Sequence, residues 1–341
     1  MRFIYIIPVL LCFVYSCGSS SDKEQEKQIA VDSTLSKLNN PELKAMNASL
    51  LADPNNADLY YKRGQIYLKN NDLEAAGNDA ARAIKLDSLK PEYFILLSDA
   101  YFAANQTRYS KETLERCVKA NPGSIEANLK LAELYFYVKK YEDAIKHINN
   151  ALKVNENTAK GYFLKGMCYK ELGDTGLAVS SFQTTVEQDN EYFDAYIELG
   201  TLLTAKKNPL AVEYLKTALK MQPENKDVVY NIGMYYQQMK NYKTAMETYK
   251  ALLAKDANYK EAYYNMGAIE LYTNKDYKQA IKHFTNAINA DANYADAYFA
   301  RGVCYEELKD KTNAVADYQM AIQINPQHAF AIGNLNAIEK K

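Results

Sequence analysis

A small residue returns about every 34 positions along this chain, and that period constrains what the chain can fold into. The series is Gly64, Ser98, Ala132, Gly166, Gly200, Gly233, Gly267 and Gly302, with one step of 33 and one of 35. A large residue follows three positions later in most copies, as Tyr67, Tyr101, Tyr135, Tyr169, Leu203, Tyr236 and Tyr305. Glycine inside a helix costs about 1 kcal/mol relative to alanine, so its repeated use implies two backbones that approach closely. A period of this length belongs to stacked units, none of which buries its apolar face alone. Only 8 of the 341 residues are proline, which suits one elongated, mostly helical body.

Each unit reads as two helical blocks separated by a turn. In the first full copy, Leu59, Tyr60, Arg63, Gly64 and Tyr67 form one stripe at three- and four-residue spacing. Asn70, Asn71 and Asp72 break it, and Leu73, Ala76, Ala80, Ala83 and Ile84 form a second stripe. Pro122, Pro223 and Pro326 stand at unit ends, where proline cannot continue a helix.

These residues resemble the tetratricopeptide repeat family. Its pattern is a large residue, Gly or Ala four later, Tyr three after that, then Ala, an aromatic, Ala and finally Pro. The last full unit supplies Tyr298, Gly302, Tyr305, Ala314, Tyr318, Ala321 and Pro326, and the third supplies Leu131, Ala132, Tyr135, Ala144 and Ala151. The resemblance implies an all-α, right-handed α-α superhelix of about eight repeats with short capping helices. The repeats fall at 57–90, 91–124, 125–158, 159–192, 193–225, 226–259, 260–294 and 295–327. A cap is expected over 41–56, where Leu43, Met46 and Leu50 share a face, and another over 328–341, where Ile332, Leu335 and Ile338 do. Two units depart from the pattern. The fifth is one residue short near Lys206, Lys207, Asn208 and Pro209, which predicts a tighter inter-helix turn. The seventh is one residue long, which predicts a bulge in its first helix that puts Leu271, not Glu270, in the core, because an unpaired buried carboxylate costs several kcal/mol.

The first residues are of another kind. Arg2 precedes an apolar run over 3–14 that ends in Val14, Tyr15, Ser16 and Cys17. The run is short for a bilayer span and has the layout of a secretory leader over 1–16. Its end resembles a bacterial lipobox, which implies lipidation at Cys17, a polar tether over 17–40, and a membrane attachment through the lipid. No aspartate follows Cys17, and the resemblance then favours the outer membrane of a bacterial envelope. Cys117, Cys168 and Cys304 read as small buried apolar residues, with no disulfide framework.

No catalytic, metal or cofactor constellation is present in the sequence, so a non-enzyme is expected. His147 and His283 read as surface residues, and no second histidine stands at ligand spacing from either. A formal net charge of −1 argues against a nucleic-acid partner. The family resemblance assigns the concave side to fixed positions of each first helix. The fifth position gives Tyr61, Ile95, Leu129, Phe163, Ile197, Tyr230, Tyr264 and Phe299, joined by Phe102, Phe136 and Tyr137. The second position gives Asp58, Glu92, Glu126, Asp194, Asp227, Glu261 and Asp296, with Lys160 the one exception. This arrangement predicts a groove with an apolar floor and an acidic edge, suited to a protein or peptide segment that is basic and amphipathic. The competing reading of the acids is that they complement the helix dipole. A clamp for acidic chaperone tails needs Lys and Asn at the fifth and ninth positions, where this chain has pairs such as Tyr61 with Gln65. The alternative function is structural self-association with an empty groove; the oligomeric state cannot be read from the sequence.

Overall fold

The structure, a computed structural model, describes residues 40–340. The leader over 1–16 and nearly all of the tether over 17–40 lie outside the described residues. Asn40 is described: its side chain accepts from the backbone N–H groups of Glu42 and Leu43 and so caps the first helix. The described residues contain helices and no strand. They fall into two units that divide between Gln188 and Asp189.

In the first unit α1 (Pro41–Ala52) precedes four pairs: α2 (Ala57–Lys69) with α3 (Leu73–Leu86), α4 (Pro91–Ala103) with α5 (Thr107–Ala120), α6 (Ile125–Tyr137) with α7 (Tyr141–Val154), and α8 (Ala159–Glu171) with α9 (Thr175–Gln188). In the second unit the pairs are α10 (Phe193–Ala205) with α11 (Ala211–Met221), α12 (Lys226–Gln238) with α13 (Tyr242–Lys255), α14 (Lys260–Ile269) with α15 (Tyr277–Ala290), and α16 (Ala295–Glu307) with α17 (Lys311–Ile324); α18 (Ala329–Glu339) closes the unit. Within each unit every helix packs on the next. First helices also touch one another, α2 with α4, α4 with α6 and α6 with α8 in the first unit and α10 with α12 in the second, so they share a face.

Every pair but the seventh turns through the same motif. After α2, Asn71 takes φ 58, and the N–H groups of Asn71 and Asp72 donate to the carbonyls of Leu68 and Tyr67. That is the left-handed closure that satisfies two orphan carbonyls at a helix end. Lys139, Lys240 and Lys309 do the same at φ 59, 59 and 62, and Gly173 is the one glycine so used.

The recurring small residue faces a side chain of its own second helix. A Cβ built on Gly166 would lie 2.6 Å from Phe182, on Gly267 2.7 Å from Phe284, and on Gly302 2.7 Å from Tyr318. Gly233 meets Tyr249 in the same way, and Gly200 meets Leu215 at 2.5 Å. Where the first-helix residue carries a side chain, the partner position is aliphatic: Leu114 for Ser98 and Ile148 for Ala132. Gly64 stands opposite Ala80, and the space is taken by Leu96 of the following pair, 2.9 Å from the built Cβ. All eight partner residues are buried. In every pair but the first, bulk removed from one helix is therefore restored by the other, and interiors fill to native density.

Both irregular units keep this contact. In the fifth, the turn after α10 is not tighter, contrary to the sequence expectation: Lys207 has φ 54, and the N–H of Asn208 reaches the Leu203 carbonyl as elsewhere. The missing residue is taken from the start of α11, which has 11 residues where most second helices have 14. In the seventh, α14 runs into a π turn over Glu270–Asn274, and Leu271 is buried while Glu270 is not. The bulge is where the sequence placed it. Leu43 and Leu50 of the first cap are buried, and the last cap turns Leu335 and Ile338 of its expected face onto the core around Tyr318. Ala331 is buried as well, and Ile332 is exposed, contrary to the sequence expectation.

Gly267→Ala is expected to cost about 1–3 kcal/mol, since neither the Phe284 ring nor the backbone can yield freely. Gly333→Ala in α18, where a Cβ meets nothing within 4 Å, should instead gain up to about 1 kcal/mol. Urea midpoints of the two variants should therefore move in opposite directions.

Candidate functional site

The fifth-position row lies directly on the layer of partner residues just described. Phe163 sits 5.6 Å from the Phe182 ring in the first unit. In the second unit Tyr230 sits 6.0 Å from Tyr249, Tyr264 5.6 Å from Phe284, and Phe299 5.8 Å from Tyr318. Each of these second-unit rings also meets a residue that leads into the next first helix: Tyr259 and Tyr294 at 5.3 Å, and His328 at 5.0 Å. The row is thus half core and half surface. Tyr61, Phe163, Ile197, Tyr230, Tyr264 and Phe299 are half-buried, whereas Ile95 and Leu129 are only 7% and 5% exposed and offer a partner little area. Phe102 and Tyr137 are exposed, their rings edge to face at 5.8 Å, and Phe136 is half-buried on Tyr141.

Two tyrosine hydroxyls link neighbouring repeats through groups that the sequence reading did not single out. The Tyr249 hydroxyl donates to Gln237 Oε1 and accepts from Asn265 Nδ2 of the next first helix. The Tyr318 hydroxyl donates to Glu306 Oε2 and accepts from Asn334 Nδ2 of α18. The spacing is the same in both, twelve residues back and sixteen forward. That coincidence, with Tyr in place of the Phe of other copies, is the signal in the sequence.

The acidic row divides in the same way. Asp58 accepts from Lys90 Nζ at 2.7 Å and from the Tyr93 hydroxyl, and these bonds hold its carboxyl below the usual range. Asp227 accepts from the Tyr259 hydroxyl at 3.0 Å, and Asp296 lies 3.2 Å from His328 Nε2. Because His328 Nδ1 accepts from the Ala331 N–H at the start of α18, Nε2 carries the proton. These three acids tie one repeat to the next, which is a third role beside groove edge and dipole complement. Glu261 lies 4.0 Å from Lys260, and Asp194 is half-buried.

Other polar groups are structural. Arg63 makes two hydrogen bonds of 2.7 Å with buried Asp79, and Arg301 makes two of 2.8 Å with buried Asp317. An arginine just before the small residue with an aspartate sixteen positions later marks this pair in the sequence. The histidines are not surface residues as expected. His147 stacks on Tyr135 with Nδ1 3.2 Å from Asn128 Oδ1, His283 is half-buried, and His328 is buried. Burial holds the first two below the usual imidazole range. Cys117, Cys168 and Cys304 are buried free thiols. Among the described residues no three His, Cys, Asp or Glu side chains converge as a metal site, and no helix is long and apolar enough to cross a membrane.

Comparison with known proteins matches the chain to the tetratricopeptide repeat family over residues 45–77, 129–193, 202–268 and 265–329. The fold is that of a tetratricopeptide repeat protein from Parabacteroides merdae, at TM-score 0.58 and 16% identity over 73% of this chain and 98% of that one. It also matches the C-terminal part of a repeat protein from Cytophaga hutchinsonii, at TM-score 0.57 and 22% identity over 70% and 98%. Among curated proteins, anaphase-promoting complex subunit 3 of Schizosaccharomyces pombe is 27% identical over 40% of this chain and 20% of its own length. Hsp70-Hsp90 organizing protein 3 of Arabidopsis thaliana is 26% identical over 36% and 22%. The chain thus spans about a fifth of these relatives.

Asp317→Asn should destabilise the protein by about 3 kcal/mol by leaving the Arg301 guanidinium unpaired, and Arg301→Leu with Asp317→Leu should recover part of that loss. Burial, with Asp296 adding to it, pushes the Tyr264 hydroxyl up to about 12. A raised phenol pKa stabilises the fold below the unfolded value near 10, and that contribution is lost as pH rises from there toward 12. Melting temperature should fall more steeply between pH 9.5 and 11.5 in the wild type than in Tyr264→Phe.

Proposed function

This chain belongs to the tetratricopeptide repeat family, and we propose that it is a non-catalytic scaffold that binds another protein on the face of its first helices. Tetratricopeptide repeats are protein-interaction modules, and Hsp70-Hsp90 organizing protein 3, by its name, organizes two other proteins. The observation that carries the reading is the half-buried row of Tyr230, Tyr264 and Phe299 in the second unit. Each ring is seated on the core and so is rigid before a partner arrives, and rigid aromatic surface loses little entropy on binding. A segment with apolar and basic residues suits this face. An acidic tail does not, since Gln65 Nε2 donates to the Tyr61 hydroxyl where a clamp would need lysine and asparagine. The same proposal places the protein at the bacterial cell envelope, on the outer membrane, through a lipid on Cys17.

The alternative, self-association through an end, is supported by Phe330, 73% exposed on α18 beside Phe299. Sedimentation of the chain from Asp22 onward decides it: a concentration-dependent oligomer that Phe330→Ala disperses favours self-association.

Crosslinked pull-down from native membranes should recover a partner whose yield falls at least fivefold with Tyr230→Ala plus Tyr264→Ala. Unchanged yield from a folded double variant overturns the groove for that face. Cys17→Ala should move the protein from the membrane to the soluble fraction, and its retention in the membrane would sink the lipid anchor.

A further inference from the structure

Two neighbouring first helices of the first unit differ from the other first helices at one position of this face. At the twelfth position of the first helices, α4 and α6 carry Phe102 and Phe136, while α8, α10, α12 and α16 carry Lys170, Thr204, Gln237 and Glu306. In the first unit Phe102 and Tyr137 are 44% and 67% exposed and meet edge to face. Their outer surfaces form an open clasp between neighbouring helices, and exposed apolar patches of this kind mark docking surfaces.

The charge near the clasp identifies what would fill it. Of the acids on this face, Asp58 is held by Lys90, Asp99 by Lys130 and Glu133 by Lys160. Glu92 and Glu126 make no ion pair or hydrogen bond among the described residues. They stand on the same two helices as the clasp, ten and eleven residues before Phe102 and Tyr137, which is about 15 Å at a helical rise of 1.5 Å per residue. Their charges, with that of Asp99, act together on the Tyr61 hydroxyl and add to the upward push of its burial.

We propose that the first unit binds a basic, amphipathic helical segment in one register, with an apolar side chain in the clasp of Phe102 and Tyr137 and a basic side chain between Glu92 and Glu126. This rests on the reading of the first-helix face as a docking groove and adds the partner's chemistry and spacing. A helix with phenylalanine and arginine eleven residues apart, three turns and about 16 Å, carries both on one face and matches the span from clasp to carboxylates.

The test uses the full chain in a non-ionic detergent and three fluorescent alanine-based helical peptides of 18 residues. One carries Phe and Arg eleven residues apart, one has Glu for Arg, and one has the two groups three residues apart. The first should bind tightest in fluorescence polarisation, at least threefold tighter than either of the others. Phe102→Ala with Tyr137→Ala should weaken it about tenfold, and Glu92→Gln with Glu126→Gln about threefold, with a salt dependence that the second pair abolishes. All four residues are solvent-accessible, so melting temperatures serve as the fold control. Equal binding of the Glu peptide, wild-type affinity in the aromatic variant, or no binding by any peptide overturns the inference. The groove reading itself fails separately, through an unchanged pull-down with the second-unit tyrosines replaced.

Discussion

The close approach of two helices at a residue with almost no side chain is what the rest of the structure depends on. A ring from the second helix lies where a Cβ would be, at Gly166 with Phe182 and at Gly302 with Tyr318. This interlock sets how near the two helices come and how the pair presents its next face. Where the first helix carries Ser98 or Ala132 the partner shrinks to Leu114 or Ile148. These contacts are therefore not copies of one geometry but several solutions to one volume constraint, and in the first pair Leu96 of the following pair supplies the missing bulk beside Gly64.

The same layer connects stability to the surface proposed for binding. Residues three positions before the glycine lie on the buried ring from outside, and the residue leading into the following first helix closes over them. A tyrosine in this position is both a joint between repeats and a surface presented to a partner. Such a face changes little on binding, because the rings are already held. Variants there should be judged on stability and on capture together, since either can move first.

Most of the fold was legible in the sequence because its defining contacts are short in range. The small residue and its partner are about sixteen positions apart, inside one repeat, so the period exposes both. The acidic row was harder. Asp58, Asp227 and Asp296 find their partners at Lys90, Tyr259 and His328, in the neighbouring repeat. Without knowledge of how repeats stack, such acids look free. The fifth unit misled for a different reason: the left-handed residue at Lys207 and its hydrogen bonds hold the turn's shape, so the deletion had to appear in α11.

The two irregular repeats have a consequence for how such a chain can change. One is a residue short and the other a residue long, yet Gly200 still meets Leu215 and Gly267 still meets Phe284. The deletion trims the first turn of a second helix, and the insertion is taken up in a π turn at the end of a first helix. Each mismatch is absorbed before the next repeat begins, so counting errors do not accumulate along the array. A single-residue slip in a gene of this kind is a local edit, and each unit can lengthen, shorten or exchange its surface while its neighbours keep their places.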